Sequence, residues 1–272
     1  MGSAVRFYKK VATKGGLTPD LERKTPLCMT QYGRVFATAR IPLPGRDAVY
    51  SWTGVRHIVV LRKRQFFTLD VLTSAGEAVA ESHIHAQLDA VVREADRPGT
   101  HQSFPIGALT AEDRDAWSAA RAELVRAHPI NVASLEVVDR ALFVLVLEDE
   151  APADLDATAR LFLHGDVRNR WFDKLQFLVC ANGVAGVNME HSPIDGHTVL
   201  RLLTEIHNEV VARNGTVLTE GPTAPGTPRY PANTSIARIP PFPCSTVLAR
   251  RLEWIVPASS PVADALEAAK VY

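Results

Sequence analysis

The sequence predicts an α/β fold, a mixed β-sheet flanked by helices, and three observations carry that expectation. HIVVLR (57–62) and QFFTLDVL (65–72) are short, β-branched and aromatic, with charged residues at their join, as in an antiparallel hairpin. FVLVL (143–147) is a dense apolar run that fits a strand covered on both faces, although a buried helix fragment shares the pattern. Segments of helical period at 79–94, at about 111–127 and from Gly196 onward alternate with these strands.

The elements follow in chain order. Residues 1–30 read as an irregular N-terminal segment, punctuated by Gly15, Gly16, Pro19 and Pro26. YGRVFATARI (32–41) turns β-like and PLPG ends it. The 57–72 hairpin comes next, with a turn at Ser74-Ala75-Gly76. In the 79–94 helix, Val79, Ile84, Leu88 and Val92 recur on one side. His83 and His85 are too close together to share a helix face as a ligand pair. Thr110 precedes Asp113 by three, which predicts a helix start there. Trp117, Ala120, Leu124 and Val125 are expected on its buried side. Acidic residues from 148 to 157 make a solvated face. LQFLVC, the turn Ala181-Asn182-Gly183 and VAGVNME make a second hairpin that ends at Glu190-His191. Pro193 interrupts the chain before a helix that carries Val199, Leu202 or Leu203, Ile206 and Val210. Residues 215–248, rich in Gly, Pro, Thr and Ser, read as a long surface loop.

At 272 residues the chain allows one large domain or two modest ones, and its 46% hydrophobic and 22% charged residues are an ordinary globular mix. Thirty basic and thirty acidic residues leave no net charge, so nothing global favours nucleic acid or an anionic membrane. No window approaches the ~20 apolar residues of a transmembrane helix. The first residues are basic and free of acid but lack the apolar core of a secretory signal. Cys28, Cys180 and Cys244 are too far apart for a zinc cluster or a disulfide framework, so no metal is expected.

His191 falls where a strand yields to a loop ahead of a helix. The strand fixes the backbone and the loop opens the imidazole, which is suited to accept a proton near neutrality. The run His191-Ser192-Pro193-Ile194-Asp195-Gly196 resembles the His-x-x-x-Asp-Gly signature of acyl-CoA-dependent acyltransferases built like chloramphenicol acetyltransferase. With its flanks, NRWFDK (169–174) and GVNMEHSPIDG (186–196), it closely resembles the carnitine/choline acyltransferase family. QYGRVFATARIPLPGRD (31–47), HIVVLRKRQFFTLDVLTSAG, IGALTAEDRDAWSAARAEL and ARRLEWIVPASSPVADALEAA resemble further family blocks in the same order.

The resemblance implies a chloramphenicol-acetyltransferase-like domain over 31–272 and transfer of an acyl group between acyl-CoA and the hydroxyl of carnitine or choline, within fatty-acid and lipid metabolism. It implies His191 as general base, with Asp195 in support as the helix cap that holds the loop or as an orienting partner, and with Ser192 not a nucleophile. CoA enters as a substrate, with no permanently bound cofactor. Arg170 and Asp173 are expected to brace the hairpin, and Trp171 and Phe172 to pack or to form a quaternary-ammonium cage. Arg40 is expected to pair with one of the nearby acids. Family enzymes are longer. The chain therefore reads as the N-terminal and central part without the C-terminal half, which carries the CoA-contacting lysines and the Ser-Thr-Ser motif; Cys244-Ser245-Thr246 is only a superficial echo. A complementary half would complete it, and alone it would turn over slowly. Two alternatives stand beside this: a catalytically incompetent truncated homologue acting as a binding or regulatory partner, and a compact trimeric acyltransferase. The implied location is intracellular, in a mitochondrion or peroxisome, with the cytoplasm as the alternative.

Overall fold

A computed structural model describes residues 1–99, 104–214 and 249–268. The predicted 215–248 loop and Cys244-Ser245-Thr246 lie outside the described residues. The chain opens with helix α1 (Gly2–Ala12), where an irregular segment is expected from sequence. Ala4, Val5 and Phe7 are buried, and Phe7 lies 6.4 Å from the Tyr32 ring and 6.3 Å from the Phe36 ring. A helix this short is held by tertiary packing rather than by its own propensity, which is why the basic, glycine-flanked sequence conceals it.

Two short strands, β1 (Leu21–Glu22) and β2 (Thr25–Pro26), form a small ribbon. A 3₁₀ turn occupies Thr30–Arg34, so the β-like reading of 32–37 gives way to a turn. The strand proper is β3 (Thr38–Leu43), and it pairs antiparallel with β4 (Arg46–Ser51). The residues of β4 are mostly exposed, so no apolar alternation announces it.

The predicted hairpin is β5 (His57–Arg62) and β6 (Gln65–Asp70). Its two-residue turn, Lys63-Arg64, has positive φ at both positions (48° and 65°), the twist that suits a right-twisted ribbon. Helix α2 (Glu81–Ala95) buries Ile84, Val91 and Ala95. A second 3₁₀ turn (Ile106–Ala111) precedes α3 (Arg114–Ala127). The cap of α3 is Asp113, whose Oδ1 accepts from the amides of Asp115 and Ala116. Thr110 instead donates to the carbonyl of Gly107, so the expected start moves three residues on. Trp117, Ala120 and Leu124 are buried as expected, whereas Val125 is 42% exposed.

Helix α4 (Pro129–Arg140) occupies much of what reads as the approach to a strand, and only β7 (Val144–Leu147) realises the apolar run. Pro129 starts α4, where its missing N–H costs nothing. Helix α5 (Leu155–Leu163) is capped by Asp154. The second hairpin is β8 (Gln176–Val179) with β9 (Ala185–Asn188). Helix α6 (Gly196–Asn214), strand β10 (Arg250–Arg251) and helix α7 (Pro261–Ala268) complete the elements described.

The main sheet has the order β10-β6-β5-β7-β8-β9. It is mixed: β5, β7 and β8 run parallel, and β10, β6 and β9 pair antiparallel with their neighbours. The fold is therefore mixed α/β, as the sequence predicts. Ile58 to Leu61 are all fully buried, because helices cover both faces of the sheet. Ile58, Val60, Leu69 and Leu145 pack with buried residues of α1, α2 and α6. Val59, Leu61, Val144, Val146 and Leu178 pack with α3, α4 and α7 around Trp117 and Trp171. No helix among the described residues is long and apolar enough to cross a membrane.

Candidate active site

Strand β9 ends at Asn188, and three residues later the chain reaches the exposed His191. No hydrogen bond or ion pair joins the His191 ring to another described residue. The loop beneath it is anchored, because Pro193 and Ile194 are buried and Ile194 belongs to the core under α1, α2 and α6. Three surface depressions are formed elsewhere, the first lined by Thr30, Gly33, Arg34, Val49 and Ser51, and His191 lines none of the three.

Asp195 sits at the start of α6. Its Oδ1 accepts from the amides of His197 (3.0 Å) and Thr198 (3.3 Å), which is helix-capping geometry. Gln31 clamps the same residue. Its Nε2 donates to Asp195 Oδ2 at 2.9 Å, and its Oε1 accepts from the Asp195 amide and the Thr198 hydroxyl, both at 2.9 Å. The hydrogen bond from Gln31, then those from the helix amides, hold the Asp195 carboxyl below its ordinary range. No hydrogen bond joins Asp195 to His191 among the described residues, so of the two sequence readings the capping geometry is the one present.

At the other end of the loop, Glu190 bridges over His191. Its Oε1 accepts from the Ser192 amide at 2.8 Å and from the Ser192 hydroxyl. Its Oε2 faces Arg40 Nη1 at 3.5 Å. Arg40 Nε donates to Asp47 Oδ2 at 2.5 Å, so Arg40 pairs with two acids, one on β4 and one beside His191. The sequence offers no way to choose Arg40's partners, and nothing in it marks Gln31 or Asp47 for this role.

Residues 1–266 match the family described as Choline/Carnitine O-acyltransferase. The chain belongs to that family. It is 40% identical over 185 residues to carnitine O-palmitoyltransferase 2, mitochondrial, of Mus musculus, covering 68% of this chain and 27% of the relative. It is 34% identical over 237 residues to a putative mitochondrial carnitine O-acetyltransferase of Saccharomyces cerevisiae, covering 77% and 34%. It is 36% identical over 185 residues to choline O-acetyltransferase of Danio rerio, covering 63% and 29%. The chain thus spans about a quarter to a third of the length of these curated relatives.

In this choline/carnitine O-acyltransferase family member the block NRWFDK is a structural knot rather than an exposed surface. Trp171 is fully buried and meets Phe66 and Trp117 edge-on, at 5.7 and 6.1 Å, so it packs. Arg170 and Asp173 do not brace the β8–β9 hairpin as expected. Arg170 donates to Glu148 at the end of β7 and, at 2.5 Å, to the Leu161 carbonyl of α5. Asp173 accepts from Arg114 Nη1 at 2.7 Å and from Trp117 Nε1 at 2.8 Å, both on α3. A buried guanidinium and a buried carboxylate take the nearest strong partners, and those lie on the elements packed above and below the segment rather than along it. Gly107 lies so close to this knot that a Cβ there would stand 2.2 Å from the Arg170 carbonyl oxygen.

Lys174, like Arg170, is almost fully buried. Its Nζ donates to the carbonyls of Thr38 (2.9 Å) and Asp139 (2.6 Å), and it sits 5.9 Å from the Trp52 ring centre. Burial pushes its pKa down to about 7, against the pull of Asp139 and Asp173. The sign follows directly. Between pH 7 and 9 the unfolded chain holds a proton that the folded Lys174 has shed, so this group's contribution to stability rises with pH. Denaturant titrations at pH 7, 8 and 9 should show that rise, and Lys174→Met should flatten it. An undiminished rise in Lys174→Met would assign it to another group.

Proposed function

We propose that this chain carries the general base of an O-acyltransferase that moves an acyl group between acyl-CoA and the hydroxyl of carnitine or choline, with His191 as that base. One observation carries the reading: an exposed imidazole with no hydrogen-bond or ion-pair partner among the described residues, just past the end of a sheet strand, on a loop pinned at both ends. The base removes the hydroxyl proton as the oxygen attacks the thioester carbonyl. The tetrahedral oxyanion collapses, the C–S bond breaks, and the imidazolium returns the proton to the CoA thiolate. The products are an ester and free CoA, and the reverse direction uses the same two proton transfers. Both substrates meet at one imidazole, so no acyl-enzyme and no resident cofactor enters. The Ser192 hydroxyl, donated to Glu190, is not set up as a nucleophile.

In this reading Asp195 supports the base by fixing the loop and the first turn of α6. The chain supplies one wall of the site, and a complementary segment faces His191 with the oxyanion donor, a group worth about 3 kcal/mol. The mitochondrion named in the palmitoyltransferase and acetyltransferase relatives is the proposed location. The test is release of free thiol from acetyl-CoA on addition of carnitine, then of choline. Acceptor-dependent release supports the reading and names the acceptor. Thiol release indifferent to both acceptors would overturn it.

A further inference from the structure

Resting on His191 as the base, we propose that the Arg40–Glu190 ion pair is a positioning device for that imidazole. The carboxylate of Glu190 closes a ring around His191, because Oε1 takes both the amide and the hydroxyl of Ser192. That fixes the backbone on either side of residue 191 while leaving its ring uncommitted. The other oxygen, Oε2, reaches Arg40 Nη1 across from β3. The Glu190 side chain is only 12% exposed and that of Arg40 is 31% exposed, so the carboxylate is largely shielded from water and the pair is only partly screened by salt.

Arg40 is itself held. Its Nε donates to Asp47, Asp47 accepts from Arg114 Nε at 2.9 Å, and Arg114 binds the buried Asp173. The Arg40 amide also donates to the Asp173 carbonyl at 3.0 Å. An alternating chain of charges, Asp173–Arg114–Asp47–Arg40–Glu190, therefore runs from the buried knot beside Trp117 to the residue next to His191. Each cation in it faces two acids. A strand from one hairpin, a helix and the end of another hairpin are tied together by this chain, and its last member sets the loop. Gln31 secures the far end of the loop through Asp195, and Ile194 is packed in the core between, so the loop carrying His191 is held from both ends and from beneath. The pair touches no reacting atom in this scheme and acts through His191.

The experiment follows the His191 ring signal by ¹³C–¹H NMR in histidine-labelled chain, assigned by its loss in His191→Gln, alongside acyl transfer. Arg40→Ala and Glu190→Ala should each displace the His191 signal while the remaining histidines stay in place. Each should lower kcat by about 10–100-fold, with KM for both substrates within about twofold. Glu190→Gln keeps an acceptor for the Ser192 amide but loses the charge facing Arg40, and it should fall between wild type and Glu190→Ala. The double Ala variant should be no worse than either single one, because both remove the same contact. Should Arg40→Ala leave the His191 signal unmoved, or should the two rate losses multiply, the proposal fails. If Arg40→Ala does not fold, Glu190→Gln carries the same comparison from the other side of the pair. The NMR result judges the clamp whether or not acyl transfer is measurable. Full activity in His191→Ala would refute the base assignment alone.

Discussion

With His191 as the proposed base, His191→Ala should lower acyl transfer from acetyl-CoA by about 10²–10⁴-fold, the typical contribution of a positioned general base. The residual rate should then reflect binding and proximity alone. The fold is expected to survive, because the ring is exposed and supports no neighbour through a hydrogen bond or ion pair among the described residues. Unfolding free energy should stay within about 0.5 kcal/mol of wild type, as for a surface substitution. A rate loss with unchanged stability separates chemistry from structure, and thiol release followed beside a denaturant titration measures both. Retention of the wild-type rate would remove His191 from the reaction.

Asp173→Ala should have the opposite signature, a loss of stability of about 3–5 kcal/mol, as when one partner of a buried pair is deleted. Burial raises the Asp173 carboxyl to about 6, with Arg114 and the Trp117 indole pulling the other way. Desolvation thus outweighs what those partners give, and the ionised carboxylate is itself a net cost to the fold at neutral pH. Deleting the carboxylate is nonetheless costly. It strands the Trp117 Nε1–H in a core where that residue is fully buried, and it leaves Arg114 with Asp47 alone. Asp173→Asn retains an acceptor oxygen and should lose less. A denaturation midpoint for Asp173→Ala equal to that of wild type would show the knot to be dispensable.

The sequence makes the two sheet hairpins, the start of α6 and the setting of His191 legible, because each depends on local rules: β-branched runs, a turn at Asn182-Gly183, a proline stop. Trp117 and Trp171 as core residues follow from size and polarity. What escapes the sequence depends on neighbours distant along the chain. Helix α1 exists because Phe7 finds Tyr32 and Phe36, and β4 exists because β3 offers it a partner despite its exposed side chains. The loop clamps escape for the same reason. Gln31 reaches Asp195 and Arg40 reaches Glu190 across long stretches of chain, and no spacing rule joins such pairs.

The pairing order of the sheet also sets the sequence of events by which the protein is made. β5 zips against β6 through a two-residue turn, which takes microseconds in isolated hairpins. Its other edge must wait for β7, where Val59 meets Val144, and β7 must then wait for β8. Contacts so remote in the chain raise contact order and slow the search. During synthesis the hairpin therefore emerges with an apolar, unpaired flank at β5, and until β7 arrives that flank is open to a like strand of a neighbouring nascent chain. Recovery of the folded protein should accordingly fall as the concentration during refolding rises.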